Sequence, residues 1–190
     1  MSSLSTETLT LPVGKRDHVQ GPASAIITLV EYGDYQCPFC GDVSPIIRKL
    51  QTQFGDQLRF VFRNFPQTRI HAYAQRAAEA AEAAGGQGKF WEMHDYLYEH
   101  QQALDAENLT QAAVAIGLDK VKFSRDVAER AYADRVQEDI QSGIDSGVGG
   151  TPTLFINGVR NDDEDDFDTL KEKIQEAILL SKASKGRRHS

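Results

Sequence analysis

What this 190-residue sequence has least of is sulfur and tryptophan: two cysteines, Cys37 and Cys40, two methionines and one tryptophan. Two cysteines so close together cannot staple distant loops, which is unlike the disulfide framework of a small secreted domain. Nor is such a framework needed, because a chain of this length buries a sizeable core. Long apolar runs are missing too, and no stretch suffices to span a bilayer. The start, Met1-Ser2-Ser3-Leu4-Ser5-Thr6, has neither the positive charge nor the apolar segment of an export signal. The expectation is a soluble, cytoplasmic protein with no membrane partner; an exported chain whose signal had been cleaved would read the same way.

Positive charge is also short. With 21 Lys and Arg against 28 Asp and Glu, the net charge of −7 argues against nucleic acid as a partner, since displacing phosphate counterions requires excess cations. Most of the imbalance sits at Asp162, Asp163, Glu164, Asp165, Asp166 and Asp168, so the remainder is nearly neutral. That run lacks the glycine and terminal glutamate of a calcium loop and reads as a solvated turn leading into a helix.

What is present alternates between strand and helix signals. Residues 1–20 read as an arm with a short strand near Asp17-His18-Val19-Gln20, closed by Gly21-Pro22. Ala25 to Tyr32 is β-branched and almost continuously apolar, which suits a buried strand, with Glu31 as its exception. After Cys37 the residues Val43, Ile46, Ile47, Leu50 and Phe54 fall at helical spacing, with Pro38 tolerated in the first turn and Pro45 expected to kink the helix. Leu58 to Arg63 reads as a second strand. From Ile70 to Ser146 the pattern is helical throughout, over His71–Ala84, Phe90–His100, Leu109–Ile116, Lys120–Ala128 and Tyr132–Ile144. Strand signals return at Thr153–Ile156, and Asn157-Gly158 favours a tight hairpin into Val159-Arg160. A last helix covers Asp166 to Leu180, followed by a polar tail expected to fray.

This order predicts an α/β fold, a mixed central sheet flanked by helices and carrying an all-helical insertion. The expected division is an arm at 1–20, a sheet-bearing domain at 21–66 and 147–181, the helical insertion at 67–146 and a flexible tail at 182–190. Phe90, Trp91 and Leu97 are expected in the insertion's core, with Tyr96 and Tyr98 on the same helix.

The chemistry points to Cys37-Pro38-Phe39-Cys40. A cysteine reacts as its thiolate, and a helix N-terminus favours an anion, so Cys37 should be the exposed attacking sulfur and Cys40, one turn in, the buried partner. Residues three apart share a helix face, which lets the pair close a disulfide after modest adjustment. Half a zinc site and an inert pair are the competing readings. Zinc would need a second ligand pair, and His71, His94 and His100 lack the spacing, so no metal and no cofactor are expected. Glu31 is either a proton acceptor and donor for Cys40 or a carboxylate simply in water. Pro152, in Gly150-Thr151-Pro152 before an apolar strand, must sit at a strand's first residue or at a bend.

Together, Glu31, the CPFC motif, the helical insertion and Gly150-Thr151-Pro152-Thr153 resemble the DsbA-like branch of the thioredoxin superfamily, over roughly residues 26–178. The resemblance implies a thioredoxin fold with Pro152 in cis beside the cysteines, where it keeps metal away. It implies that Thr151 touches the active-site sulfur and tunes substrate release, and that Thr151, Pro38 and Phe39 face an extended substrate. The implied activity is thiol-disulfide exchange with protein or small-molecule thiols and disulfides, plus a redox partner that recycles the cysteines. A non-enzymatic peptide-binding module on the same fold is the alternative. Phe39 departs from the histidine of the archetypal exported oxidase, which predicts a less favoured thiolate and a potential between strong oxidase and thioredoxin.

Overall fold

The structure, a computed structural model, describes residues 7–186; the Met1–Thr6 stretch read for an export signal and the end of the tail lie outside them. The short strand expected in the arm is β1 (His18–Gln20). The β-branched run that follows forms β2 (Ile27–Gly33), the central strand, buried on both faces for most of its length. Helix α1 (Pro38–Phe54) leads from it to β3 (Leu58–Asn64) through a short 3-10 turn, and it runs unbroken through Pro45.

Five helices follow before the sheet resumes: α2 (Ala74–Gly85), α3 (Phe90–Glu99), α4 (Ala106–Ala115), α5 (Lys120–Ala128) and α6 (Ala133–Asp145). The chain closes with β4 (Thr153–Ile156), β5 (Val159–Arg160) and α7 (Phe167–Gly186). Asn157 and Gly158 both take positive φ, 50° and 81°, the geometry that lets a two-residue turn match strand twist. The sheet order is β1-β3-β2-β4-β5, with β2 and β3 parallel and the other pairs antiparallel. This is the mixed sheet expected.

Side chains alternate across the sheet, so the residues of β2 divide between two environments. Ile27 and Leu29 face a core shared with α1, α2, α3 and α7. Val30 and Tyr32 face the arm and α6, with Leu9, Val13, Val19, Phe65 and Val148 around them. Gly143 lets α6 approach there: a Cβ would stand 2.8 Å from the Phe65 ring and 3.1 Å from Tyr32.

Two boundaries differ from expectation for local reasons. Helix α2 begins at Ala74, not His71, because the polar groups of residues 65–73 bond to the turn at 34–36. Helix α7 continues past Leu180 to Gly186, since Ser-Lys-Ala-Ser-Lys contains no breaker and Gly186 is the first glycine met.

Candidate active site

The site forms where β2 ends and α1 begins. Cys37 is the N-cap of α1 with an extended backbone (φ −72°, ψ 121°), and Pro38 follows it, its absent N–H costing nothing in the first turn. The backbone there turns its unpaired N–H groups toward the Cys37 sulfur. Both cysteines are free thiols. The Cys37 thiol is lowered to about 5, first by a hydrogen bond from the Cys40 thiol, then by the amides of Cys40 and Phe39 and the Thr151 side chain, all against the cost of burial. Cys40 moves the opposite way: burial, its bond to Cys37 and the charge of Glu31 hold its proton far more tightly than normal.

Cys40 is fully buried, as expected for the second sulfur, but Cys37 is only 3% exposed, which corrects its expected exposure. Its sulfur lies 3.4 Å from the Thr151 carbonyl, and its own carbonyl accepts a hydrogen bond from Gln101 Nε2 at 2.8 Å. Gln101 comes from the loop after α3 and also holds the Tyr35 carbonyl at 2.9 Å. The insertion thus reaches over the helix start, a long-range contact with no local signal in the sequence. Phe39, by contrast, is 70% exposed, and Pro38 is exposed beside it.

Across from the cysteines the Thr151–Pro152 peptide is cis, and β4 starts with the next residue. Thr153 closes this bend by donating its hydroxyl hydrogen to the Gly150 carbonyl at 2.8 Å.

Beneath the dithiol, Glu31 is buried, and neither carboxylate oxygen has a hydrogen-bond partner. The reading of a carboxylate in water is therefore overturned. Burial foremost, with the charges of Asp165 and Cys37, raises Glu31 from an ordinary 4.5 to about 8. A cavity of about 10 Å³, roughly the space of a single water, touches Glu31, Ser44, Phe60 and His94. Gly33 keeps further space open: a Cβ there would come within 2.8 Å of Glu31 Oε1 and 2.9 Å of the Tyr98 hydroxyl, itself buried without a partner.

Residues that motif reading missed complete the site. Asp34 is buried; its carboxylate accepts from the Gln36 amide at 2.7 Å, the Gln67 amide at 2.9 Å and His71 Nδ1 at 2.7 Å, and its own N–H points at Cys40 Sγ, 3.5 Å away. An acid directly after a strand-ending glycine was the available signal. The aromatic face of α3 is core as expected, with Phe90 and Leu97 buried and Trp91 half-buried. Buried among those rings, His94 is lowered to about 3 and bonds the Tyr35 hydroxyl at 3.1 Å. His71 and His100 are likewise engaged elsewhere, His100 with the Tyr96 carbonyl at 2.8 Å, and the described residues contain no group of three or more metal-ligating side chains. The acidic run ends in a helix cap: Asp166 accepts from the Asp168 and Thr169 amides at 2.9 and 3.0 Å.

A buried, asymmetric dithiol at a strand-to-helix turn, facing a threonine-proline bend on a five-stranded mixed sheet, defines a protein of the thioredoxin superfamily. A family model described as thioredoxin matches residues 14–176, and the chain belongs to that family. Oxidised BdbD from Bacillus subtilis superposes with a TM-score of 0.82 at 25% identity, covering 92% of this chain and 97% of that one. The thiol-disulfide exchange protein alpha-DsbA2 from Wolbachia pipientis superposes with a TM-score of 0.70 at 23% identity, over 85% of this chain and 87% of its own. In sequence, the chain is 46% identical over 163 residues to the Na(+)/H(+) antiporter NhaA 1 of Salinispora arenicola, which covers 86% of this chain but 25% of that protein. The chain thus spans about a quarter of the length of the curated relatives it matches. Among the described residues, no helix is long and apolar enough to cross a membrane.

Proposed function

We propose that the chain is a thiol-disulfide oxidoreductase that forms, reduces or isomerises disulfides through the Cys37/Cys40 couple. The observation that carries this reading is the division of labour between the sulfurs: Cys37 is held toward the thiolate while Cys40 beside it is held protonated. In the reducing direction, the Cys37 thiolate attacks a substrate disulfide and displaces one substrate thiolate, leaving a mixed disulfide. Cys40 then gives its proton to Glu31, attacks Cys37 Sγ and releases the second substrate thiolate. The substrate gains two electrons and the protein becomes the disulfide. Oxidation of a substrate dithiol runs the same steps backwards.

Glu31 suits the proton step, because a carboxyl poised at about 8 both accepts and returns a proton near neutral pH. The Thr151-Pro152 bend, with Pro38 and exposed Phe39, is the surface against which an extended protein or small-thiol substrate lies. A separate redox partner resets the cysteines after each turnover. Residues 67–146 act as the insertion that covers the reactive turn, Gln101 being its reach.

Insulin reduction and oxidation of a reduced protein test the proposal. Cys37→Ser is expected to abolish turnover in both assays, and full activity in that variant would overturn the assignment. Equilibration with glutathione should give a potential between about −270 mV and about −120 mV, the values of thioredoxin and DsbA. A dithiol inert to glutathione that still bound extended peptides would leave the non-enzymatic module in its place.

A further inference from the structure

The loop at 65–73 lies outside the CPFC and Thr-Pro motifs, yet it grips the backbone just before the reactive turn. The Phe65 N–H donates to the Gly33 carbonyl at 2.8 Å, while the Gln67 N–H and His71 Nδ1 donate to the Asp34 carboxylate at 2.9 and 2.7 Å. Under that grip lies the Gly33–Asp34 peptide. Its carbonyl end is the one Phe65 holds; its N–H end donates to Cys40 Sγ, 3.5 Å away. The Asp34 carbonyl in turn accepts the Cys37 N–H at 3.1 Å, so a single residue touches both members of the couple.

We propose that the Asp34 N–H is the donor that stabilises the Cys40 sulfur as it becomes a thiolate during resolution, and that His71 is a positioning residue which, through the Asp34 carboxylate, keeps that N–H in line. The inference rests on the dithiol exchange proposed above. In resolution Cys40 gives its proton to Glu31 and its sulfur bonds Cys37 Sγ; the bond from Cys37 to the substrate sulfur breaks, and that sulfur leaves with the electron pair. Cys40 does this fully buried, where water cannot solvate the anion. Burial, the bond to Cys37 and the Glu31 charge all hold its proton, whereas the Asp34 amide acts the other way. A hydrogen bond to an ion is stronger than one to a neutral group, so this donor helps the forming thiolate more than the resting thiol. What fixes the donor is the carboxylate on the same residue, which is buried and accepts from Gln36, Gln67 and His71. The loop between β3 and α2 thus supports a sulfur that it does not touch.

The test separates the two sulfurs by step. The reduced full chain is mixed with rising concentrations of oxidised glutathione, quenched with acid and weighed by mass spectrometry. The initial slope of rate against concentration reports attack by Cys37, and the plateau reports attack by Cys40 on the mixed disulfide. His71→Ala should lower the plateau about fivefold, the size expected for weakening one hydrogen bond to an ion, and leave the slope as in the wild type. Asp34→Ala, which removes the anchor altogether, should lower the plateau further. His71→Asn places a side-chain N–H where Nδ1 stands and should restore most of the loss. A merely structural role would slow both steps together. An unchanged plateau in His71→Ala, or a slope that falls in parallel with it, would overturn the inference while leaving the enzyme reading intact; if Asp34→Ala does not fold, His71→Ala decides alone. A wild-type chain that formed no mixed disulfide with glutathione would overturn the enzyme reading, and this inference with it.

Discussion

The two faces of the sheet treat buried polar groups in opposite ways. Glu31 pairs with Phe62 across β2 and β3, and the next pair along is Tyr32 with Arg63, so one step moves from one face to the other. On the Arg63 side the buried charges are paired. Its guanidinium donates to Asp17 Oδ1 at 2.8 Å, to the Tyr32 hydroxyl at 2.8 Å and to the Leu11 carbonyl at 3.0 Å, with both charged side chains at 0% exposure. Nearby, Asp139 accepts from Arg16 at 2.6 Å and Arg135 at 2.7 Å, and from the Asn64 amide at 3.0 Å. On the Glu31 side a carboxylate and the Tyr98 phenol lie buried with no partner at all, directly below the dithiol. Burying charge is expensive unless it is paired. The first arrangement ties the arm to the sheet and to α6, whereas the second keeps a proton available and is unexplained by packing.

That contrast has consequences of different size. The largest should come from breaking the paired side: Arg63→Ala strands the Asp17 carboxylate in the interior and is expected to lower the unfolding free energy by about 3–5 kcal/mol, measured by denaturant titration. Replacing both partners by apolar residues, Arg63→Met with Asp17→Leu, should recover much of that loss, because no lone charge is left behind. A small effect for Arg63→Ala alone would show that water reaches this face and would erase the contrast.

The unpaired side should respond in the opposite direction. In the folded chain Glu31 keeps its proton up to about 8, while in the unfolded chain it ionises above its ordinary 4.5. Between those limits the unfolded state binds fewer protons, so stability falls as pH rises, by about 3 kcal/mol from this group at pH 7. Glu31→Gln removes the titration. The variant should match the wild type near pH 4.5 and become progressively more stable than it up to about pH 8, while resolving mixed disulfides more slowly. The observable is the difference between the two stability curves, since the Cys37 thiolate, lowered to about 5, contributes equally to both. A flat difference would place Glu31 among the satisfied groups.

Much of this was legible in the sequence, and the parts that were not share a cause. The strands, the order of helices, the helix start at Cys37 and the turn at Asn157-Gly158 follow from local periodicity and turn chemistry, which act over a few residues. Glu31 was visible as a charge inside an apolar run. Gln67 and Gln101 were not, because what distinguishes them is who they meet: Gln67 meets Thr151, and Gln101 meets Cys37, at sequence separations of 84 and 64. The start of α2 was misplaced for the same reason, since His71 is drawn to Asp34 from 37 positions away. Composition within one segment carries no trace of such contacts.

Phe39 supplies the smallest and most discriminating test. It lies between the cysteines but is 70% exposed, so its ring offers Cys37 neither a charge nor a hydrogen bond, and the thiol's fall to about 5 comes from Cys40, Thr151 and the local amides, that of Phe39 among them. Phe39→His adds an imidazolium at that exposed position. Its effect reaches the sulfur through screened surroundings, which limits it to about 1 kcal/mol. The Cys37 midpoint should therefore drop by less than one pH unit, and the potential should rise by no more than about 20 mV. Both changes should fade above about pH 7.5, where the imidazole loses its proton. A shift much larger than this would mean that residue 39 turns inward in the reduced protein, and that its side chain rather than the buried network of Cys40, Thr151 and the local amides sets the reactivity of Cys37. No shift at all would assign the thiolate wholly to that network.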